Sequence, residues 1–353
     1  MPRSPDHRSF VGLALVLLVV LAAAVLVWQL ASVALVAFGA VVVAVLLRSL
    51  ADPLRRHVGL NEGLALLASG VVVVVALAAA SWLFGATVSR QLGDLLARLP
   101  RDEQGLQALL ERLPFGATLA EQIVSMDGLA GRVEGVAGQV GGYALNIFGA
   151  VTNAGLVLVA GVYLALKPAA ARDGLLLLFP KDQVEPLRAT LNASGRALRL
   201  WLMGTFADMV VVAVLTAIGT ALIGLPSPVA LGLLAGVAAF VPIVGPIVSV
   251  IPAVLVAAQE GPRLMLWTVL VYVAVQQIES NLIFPFIQRR AVDLPPVLTL
   301  FGVLAFGVLL GPLGVILATP LLVVAMVFTK RLYVRGVLGK DVHGPGEPKA
   351  AQT

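Results

Sequence analysis

Phe240-Val241-Pro242-Ile243-Val244-Gly245-Pro246 sits in the middle of an apolar run, residues 227–258. That run is the wrong length for a simple membrane span. A continuous helix of about 32 residues would measure about 48 Å, against a hydrocarbon core of about 30 Å. Each arm, at about 13 residues, is too short to cross alone. Pro242, Gly245 and Pro246 remove backbone donors and permit a tight reversal. The stretch predicts a broken element, either a re-entrant helical hairpin or one steeply tilted, interrupted span. Residues 296–330 repeat the pattern, with a break at Gly311-Pro312-Leu313-Gly314 and a basic end at Lys330, Arg331 and Arg335. The candidate tips are Pro242, Gly245 and Pro246 in the first element, and Gly311, Pro312 and Gly314 in the second.

Composition places these two elements in a larger frame. Hydrophobic residues make up 59% of the chain and charged ones 12%, far from a soluble core of this length. Apolar runs of about 20 residues recur, which excludes the alternating pattern of a β-barrel. The expected fold is therefore an all-α integral membrane protein with about eight hydrophobic segments. There is no cysteine, so neither a disulfide framework nor a thiolate site is expected. The histidines are His7, His57 and His343, all outside the apolar runs, which argues against histidine metal sites and Ser-His chemistry. No Gly-rich loop ends in Gly-Lys-Ser/Thr, so ATP hydrolysis of the P-loop kind is not expected. Together these features predict no enzyme activity, no cofactor and no metal. The net charge of +5 reflects basic loops rather than nucleic-acid binding.

In chain order, segments at about 10–28 and 31–47 meet at Gln29, and both outer ends are basic (Arg3 and Arg8; Arg48, Arg55 and Arg56). The positive-inside rule predicts a hairpin with cytoplasmic ends. A third segment, about 63–86, completes an N-terminal membrane part, 1–87. Residues 88–141 form the one sizeable hydrophilic region. Leu92, Leu95, Leu96 and Leu99 repeat at helical spacing, as do Leu106, Leu109, Leu110 and Leu113. It is lysine-free and slightly acidic, so a periplasmic amphipathic region is expected, packed on the membrane surface or a neighbouring subunit. Residues 142–340 would form the transport core. Within it, segment four (143–166, with Asn146, Thr152 and Asn153) leads to a basic cytoplasmic loop, 167–200, and segment five (203–224) carries Asp208 near its start. The tail, 341–353, reads as a disordered cytoplasmic end. If both broken elements are re-entrant, Arg289 and Arg290 fall on the cytoplasmic side, and segments five and seven with their hairpins become an inverted pair.

Segment seven carries the most costly residues in the chain: Gln276-Gln277-Ile278-Glu279-Ser280-Asn281, deep in an apolar run. A carboxylate and three amides at membrane depth cost several kcal/mol unless they face protein or water. Gln276 with Ser280, and Gln277 with Asn281, are i,i+4 neighbours, with Glu279 between the two rows. Interhelical packing by buried amides is the plainer reading. The ionisable Glu279 favours a functional one, with Asp208 as a second candidate carboxylate. Gln276, Gln277 and Asn281 would supply hydrogen bonds to a hydroxylated solute or an ion.

The run from Phe240 to Pro246 and on to Ile251-Pro252-Ala253 resembles a hallmark of the autoinducer-2 exporter family. So do Gln277-x-Glu279-x-Asn281 with Pro285, Leu294-Pro295-Pro296, Gly311-x-x-Gly314 and Ala318-Thr319-Pro320-Leu321. At Asp293 many members have a histidine, whose role does not carry over here. The resemblance implies a bacterial inner-membrane secondary transporter with both termini cytoplasmic, assembled as a pentamer and moving a hairpin-bearing domain like an elevator. It implies export of a small polar solute similar to autoinducer-2, and the membrane depth of Glu279 makes it the candidate proton-linked carboxylate. The alternative it leaves is a Na+(Li+)/H+ antiporter using the membrane carboxylates. The implied partners are that solute or a monovalent cation and protons, membrane lipid and further copies of the chain, with no nucleic acid.

Overall fold

A computed structural model describes residues 7–75, Ala78, 155–283 and 294–340, with the backbone alone for 7–29. The amphipathic region 88–141, most of segment four's polar residues, Arg289, Arg290 and the tail 341–353 lie outside the described residues. What is described is helical throughout. Helix α1 is His7–Val58 and α2 is Glu62–Val75. Next come α3, Gly155–Leu166, and α4, Pro168–Leu176. Helices α5 (Lys181–Leu222), α6 (Pro228–Ala238) and α7 (Val244–Glu260) follow. Helix α8, Pro262–Ile278, runs into a π-helical turn at Glu279–Ile283. Helix α9, Pro296–Phe328, runs into a second π-helical turn at Thr329–Arg335.

Two sequence expectations are corrected here. The hairpin at Gln29 is instead one continuous helix, α1, of 52 residues. Gln29-Leu30-Ala31 contains no Gly or Pro and consists of good helix formers, so a dip in hydropathy does not break the backbone. The basic loop 167–200 is helical as well, forming α4 and the first half of α5. Its signal was a buried stripe, Leu187, Thr190, Ala193, Ser194, Ala197 and Leu198, at helical spacing beneath the charges. Among the described residues, three helices are long and apolar enough to cross a membrane, or four if the bent pair α3–α4 counts as one.

The core is built around α5. One buried cluster joins Leu35 and Val42 of α1, Leu198, Trp201 and Leu202 of α5, and Leu317, Val323 and Val327 of α9. A second joins α5 (Val212) with α6 (Leu231, Ala235), α7 (Ala253, Val256) and α8 (Tyr272, Val275). A third packs α1 on α2 and α3 through Leu47, Ala65, Leu66 and Ala165. Outward-facing positions stay apolar: Val210, Val214 and Leu222 on α5, Leu266 and Leu270 on α8, and Phe301 and Val308 on α9 are all exposed. An apolar surface of this extent suits lipid, not water.

Small residues set the closest approaches. A Cβ on Gly236 would overlap the Met209 carbonyl, and one on Gly232 the Ala213 carbonyl. Gly232-x-x-x-Gly236 thus lets α6 lie against the backbone of α5, the close packing that small residues permit in membranes. Ala239–Ile243 separate α6 from α7, and a Cβ on Gly245 would overlap the Ala238 carbonyl. In α9, Gly311 alone leaves helical geometry, at φ 70° and ψ −156°. A Cβ on Gly302 would meet the Leu322 side chain at 2.5 Å. In a straight helix those two residues would lie about 30 Å apart, so the chain doubles back at Gly311.

Candidate functional site

Helix α8 begins after Gly261, with Pro262 in the first turn, where a missing N–H costs nothing. Thr268, Tyr272 and Val275 face the protein and the other residues between Arg263 and Gln276 are apolar, so the helix is fixed before its polar end is reached. At Glu279 it widens into the π-helical turn, a feature that frequently marks functional positions within helices. Gln276 Nε2 donates to Glu279 Oε2 at 3.0 Å and approaches Ser280 Oγ at 3.5 Å. Asn281 Nδ2 donates to the Gln277 carbonyl at 2.9 Å. Gln276 and Glu279 are half-buried, whereas Gln277, Ser280 and Asn281 are exposed.

The element packed across from this turn is α5. A Cβ on Gly219 would meet Val271 at 2.6 Å, and further along the pair the charge of Asp208 acts on Glu279. Going back along α5 from Gly219 to Asp208 corresponds to going forward along α8 from Val271 to Glu279, so the two helices are antiparallel. Asp208 is half-buried, and its Oδ1 is fully buried with no hydrogen-bond partner among the described residues. None of the ion pairs found among those residues includes Asp208 or Glu279. Two carboxylates on packed helices, both partly withdrawn from water, repel when both are charged. A proton or a cation between them relieves that repulsion.

The fold thus brings together Asp208, Gln276 and Glu279, from two segments some 70 residues apart in sequence. It leaves Gln277 and Asn281 on an outer face, bonded to each other along the helix. Residues beside the two breaks pack on the cluster shared by α1, α5 and α9: Phe240 meets Trp201 edge-on, with ring centroids 5.8 Å apart. Phe306 and Leu310, which precede Gly311, pack on the same cluster, as does Phe206, two residues from Asp208. The tips Pro242, Gly245, Pro246, Pro312 and Gly314 thus follow residues that pack on the core cluster shared by α1, α5 and α9.

The chain belongs to the AI-2E transporter family. The family described as AI-2E family transporter matches residues 15–333, nearly the whole chain. YueF of Bacillus subtilis is 27% identical over 263 residues, 69% of each protein. YrrI of the same organism is 32% identical over 143 residues, and this chain covers 40% of its length. A Thermotoga maritima relative is 25% identical over 272 residues, covering 76% of this chain and 81% of the relative. Their names propose transport and state no solute. The AI-2E membership and the apolar outer surface establish a membrane-embedded transporter-family protein.

Two further polar residues of this AI-2E protein escaped the sequence reading. Thr216 Oγ1 and Tyr272 OH are buried without hydrogen-bond partners among the described residues. Antiparallel pairing sets them at the same level of the α5–α8 seam. Other buried hydroxyls, those of Thr190, Ser194, Thr220 and Thr268, donate to carbonyls of their own helix, and Thr216 departs from that habit. A four-residue spacing of polar residues, Asp208, Thr216 and Thr220 (interrupted at Val212) against Thr268, Tyr272, Gln276 and Ser280, was the available signal.

Proposed function

We propose that this protein is a secondary transporter of a small polar solute in which Asp208 and Glu279 form the coupling pair. The observation that carries the reading is that Asp208 and Glu279 lie on packed helices within reach of each other's charge, with Asp208 Oδ1 buried and without a hydrogen-bond partner among the described residues. Charged together they hold the seam under repulsion, and a proton shared between them releases it. Gln276 already donates to Glu279 and is placed to report its charge to a bound solute. Gln277 and Asn281, on the outer face, would meet a hydroxylated solute once α8 moves relative to its surroundings.

The two broken elements are re-entrant hairpins in this reading. Their non-helical backbone is tolerated at membrane depth because protein packs beside it, at the buried Gly245 and Gly314. The pairing of α5 with α6–α7, and of α8 with α9, is the inverted arrangement used by many secondary transporters. A bacterial inner-membrane setting with both termini cytoplasmic, an elevator-like movement of the hairpin domain and a homo-oligomer are the remaining parts of the proposal. Export of an autoinducer-2-like molecule is its most specific form.

The test is solute flux in proteoliposomes under imposed pH and sodium gradients, comparing the native chain with Glu279→Gln. Flux driven by a pH gradient should fall by about 100-fold or more, the scale of losing a positioned proton-transfer group. Solute exchange at equal pH should persist. Unchanged pH-driven flux in Glu279→Gln removes the carboxylate pair from the mechanism.

A further inference from the structure

The knuckle at residues 175–179 lies outside both the core clusters and the polar seam. Helix α3 exposes Leu156, Val159, Tyr163 and Leu166 along one stripe while Ala165 is buried against α1 and α2. It is thus a lipid-facing helix, and its end is marked by Arg48, whose Nε donates to the Ala165 carbonyl at 2.7 Å. At Lys167 the chain turns by 91° into α4, with Pro168 opening the new helix. An element that leaves a membrane helix at a right angle runs along the membrane surface. Nine residues of helix reach about 13 Å, so its far end stays at the depth where it began.

That far end is Leu175-Leu176-Leu177-Leu178-Phe179. Leu176 is buried, while Leu177 is 85% and Leu178 79% exposed, and Leu175 and Phe179 are exposed beside them. Two 3.2 Å backbone bonds, from Leu178 N to the Leu175 carbonyl and from Phe179 N to the Leu176 carbonyl, hold the turn. The polar side is held on α5. Arg188 Nη1 reaches Asp173 at 3.0 Å, and Arg172 donates to both Asp173 and Asn192 at 3.0 Å. The Arg172 hydrogen bond holds the Asp173 carboxyl below the usual carboxylate range. Lys167 and Lys181 bracket the knuckle.

We propose that residues 168–181 are a membrane-surface anchor. Leu175, Leu177, Leu178 and Phe179 sink into the boundary between headgroups and acyl chains, and Lys167 and Lys181 sit among anionic headgroups. The apolar tip with cations at its sides matches the composition of interfacial anchors. By fixing the start of α5, the anchor would set the depth at which Asp208 enters the membrane.

The chain contains no cysteine, so one cysteine can carry a probe. Leu178→Cys labelled with an environment-sensitive fluorophore is placed in phosphatidylcholine vesicles containing phosphatidylglycerol. Glu185→Cys serves as the aqueous comparison, since the Glu185 side chain is 83% exposed. The label at position 178 should be quenched by lipids spin-labelled near the headgroup and shielded from iodide, with the reverse at 185. Iodide quenching at 178 without lipid quenching overturns the anchor. Protection from both quenchers overturns it too, because the knuckle is then covered by protein, such as a second copy. The readout needs no transport, so it stands or falls apart from the coupling pair.

Discussion

The two broken elements make the same reversal with opposite distributions of strain. Between α6 and α7 the chain uses five non-helical residues, and the strained one is Ile243, at φ 72° and ψ −53°. The Val244 N–H donates to the Pro242 carbonyl at 2.8 Å, so Ile243 is the centre of a γ-turn of the rare, strained hand. A β-branched residue there is a true outlier. Within α9 the whole reversal falls on Gly311, in a region of backbone space that essentially only glycine occupies. The first break thus stores about 1–3 kcal/mol in a residue that dislikes its conformation, and the second stores little. Strain held by surrounding packing is what a bistable element needs, so the first break is the better candidate for the part that rearranges.

Three substitutions test this contrast. Gly245→Ala should do most damage, because its Cβ would overlap the Ala238 carbonyl, and backbone cannot yield as a side chain does. We expect a loss of about 3 kcal/mol or more, read as a collapse of the thermal transition in detergent. Gly311→Ala should cost less, about 1–3 kcal/mol, since nothing lies within reach of its Cβ and only the dihedral angles object. A wild-type melting temperature there would show that α9 does not reverse at Gly311. Ile243→Gly is the smallest change and the one with a different sign. Relief of about 1–2 kcal/mol of left-handed strain offsets about 0.5–1 kcal/mol of added glycine entropy. Its melting temperature should rise slightly or hold, and a fall comparable to that of Gly311→Ala would erase the contrast.

Much of this was readable in advance because the costs are local. Proline and glycine clustered midway in an apolar run too long for one span made the stretch between α6 and α7 and the departure at Gly311 legible, although helices continue through single prolines such as Pro252 and Pro320. Glu279 was legible because a carboxylate at membrane depth needs a reason. The continuity of α1 through Gln29 was misread, since hydropathy reports lipid exposure and not backbone geometry. The helical first half of α5 was masked by its charges, which lie on one face only. Thr216, Tyr272 and the Gly232–Gly236 contact were missed because each matters only against a partner helix.

From the sequence alone come the membrane class, the two breaks, the family resemblance and the polarity of segment seven, all set by transfer costs that a residue carries wherever it lies. The tertiary fold alone put the Asp208 and Glu279 carboxylates within each other's electrostatic reach. It also decided that residues beside both breaks pack on one core cluster, and that Ile243 rather than a glycine bears the strain of the first. Charge repulsion, close packing and dihedral strain depend on distances between segments, and no single stretch of sequence contains them.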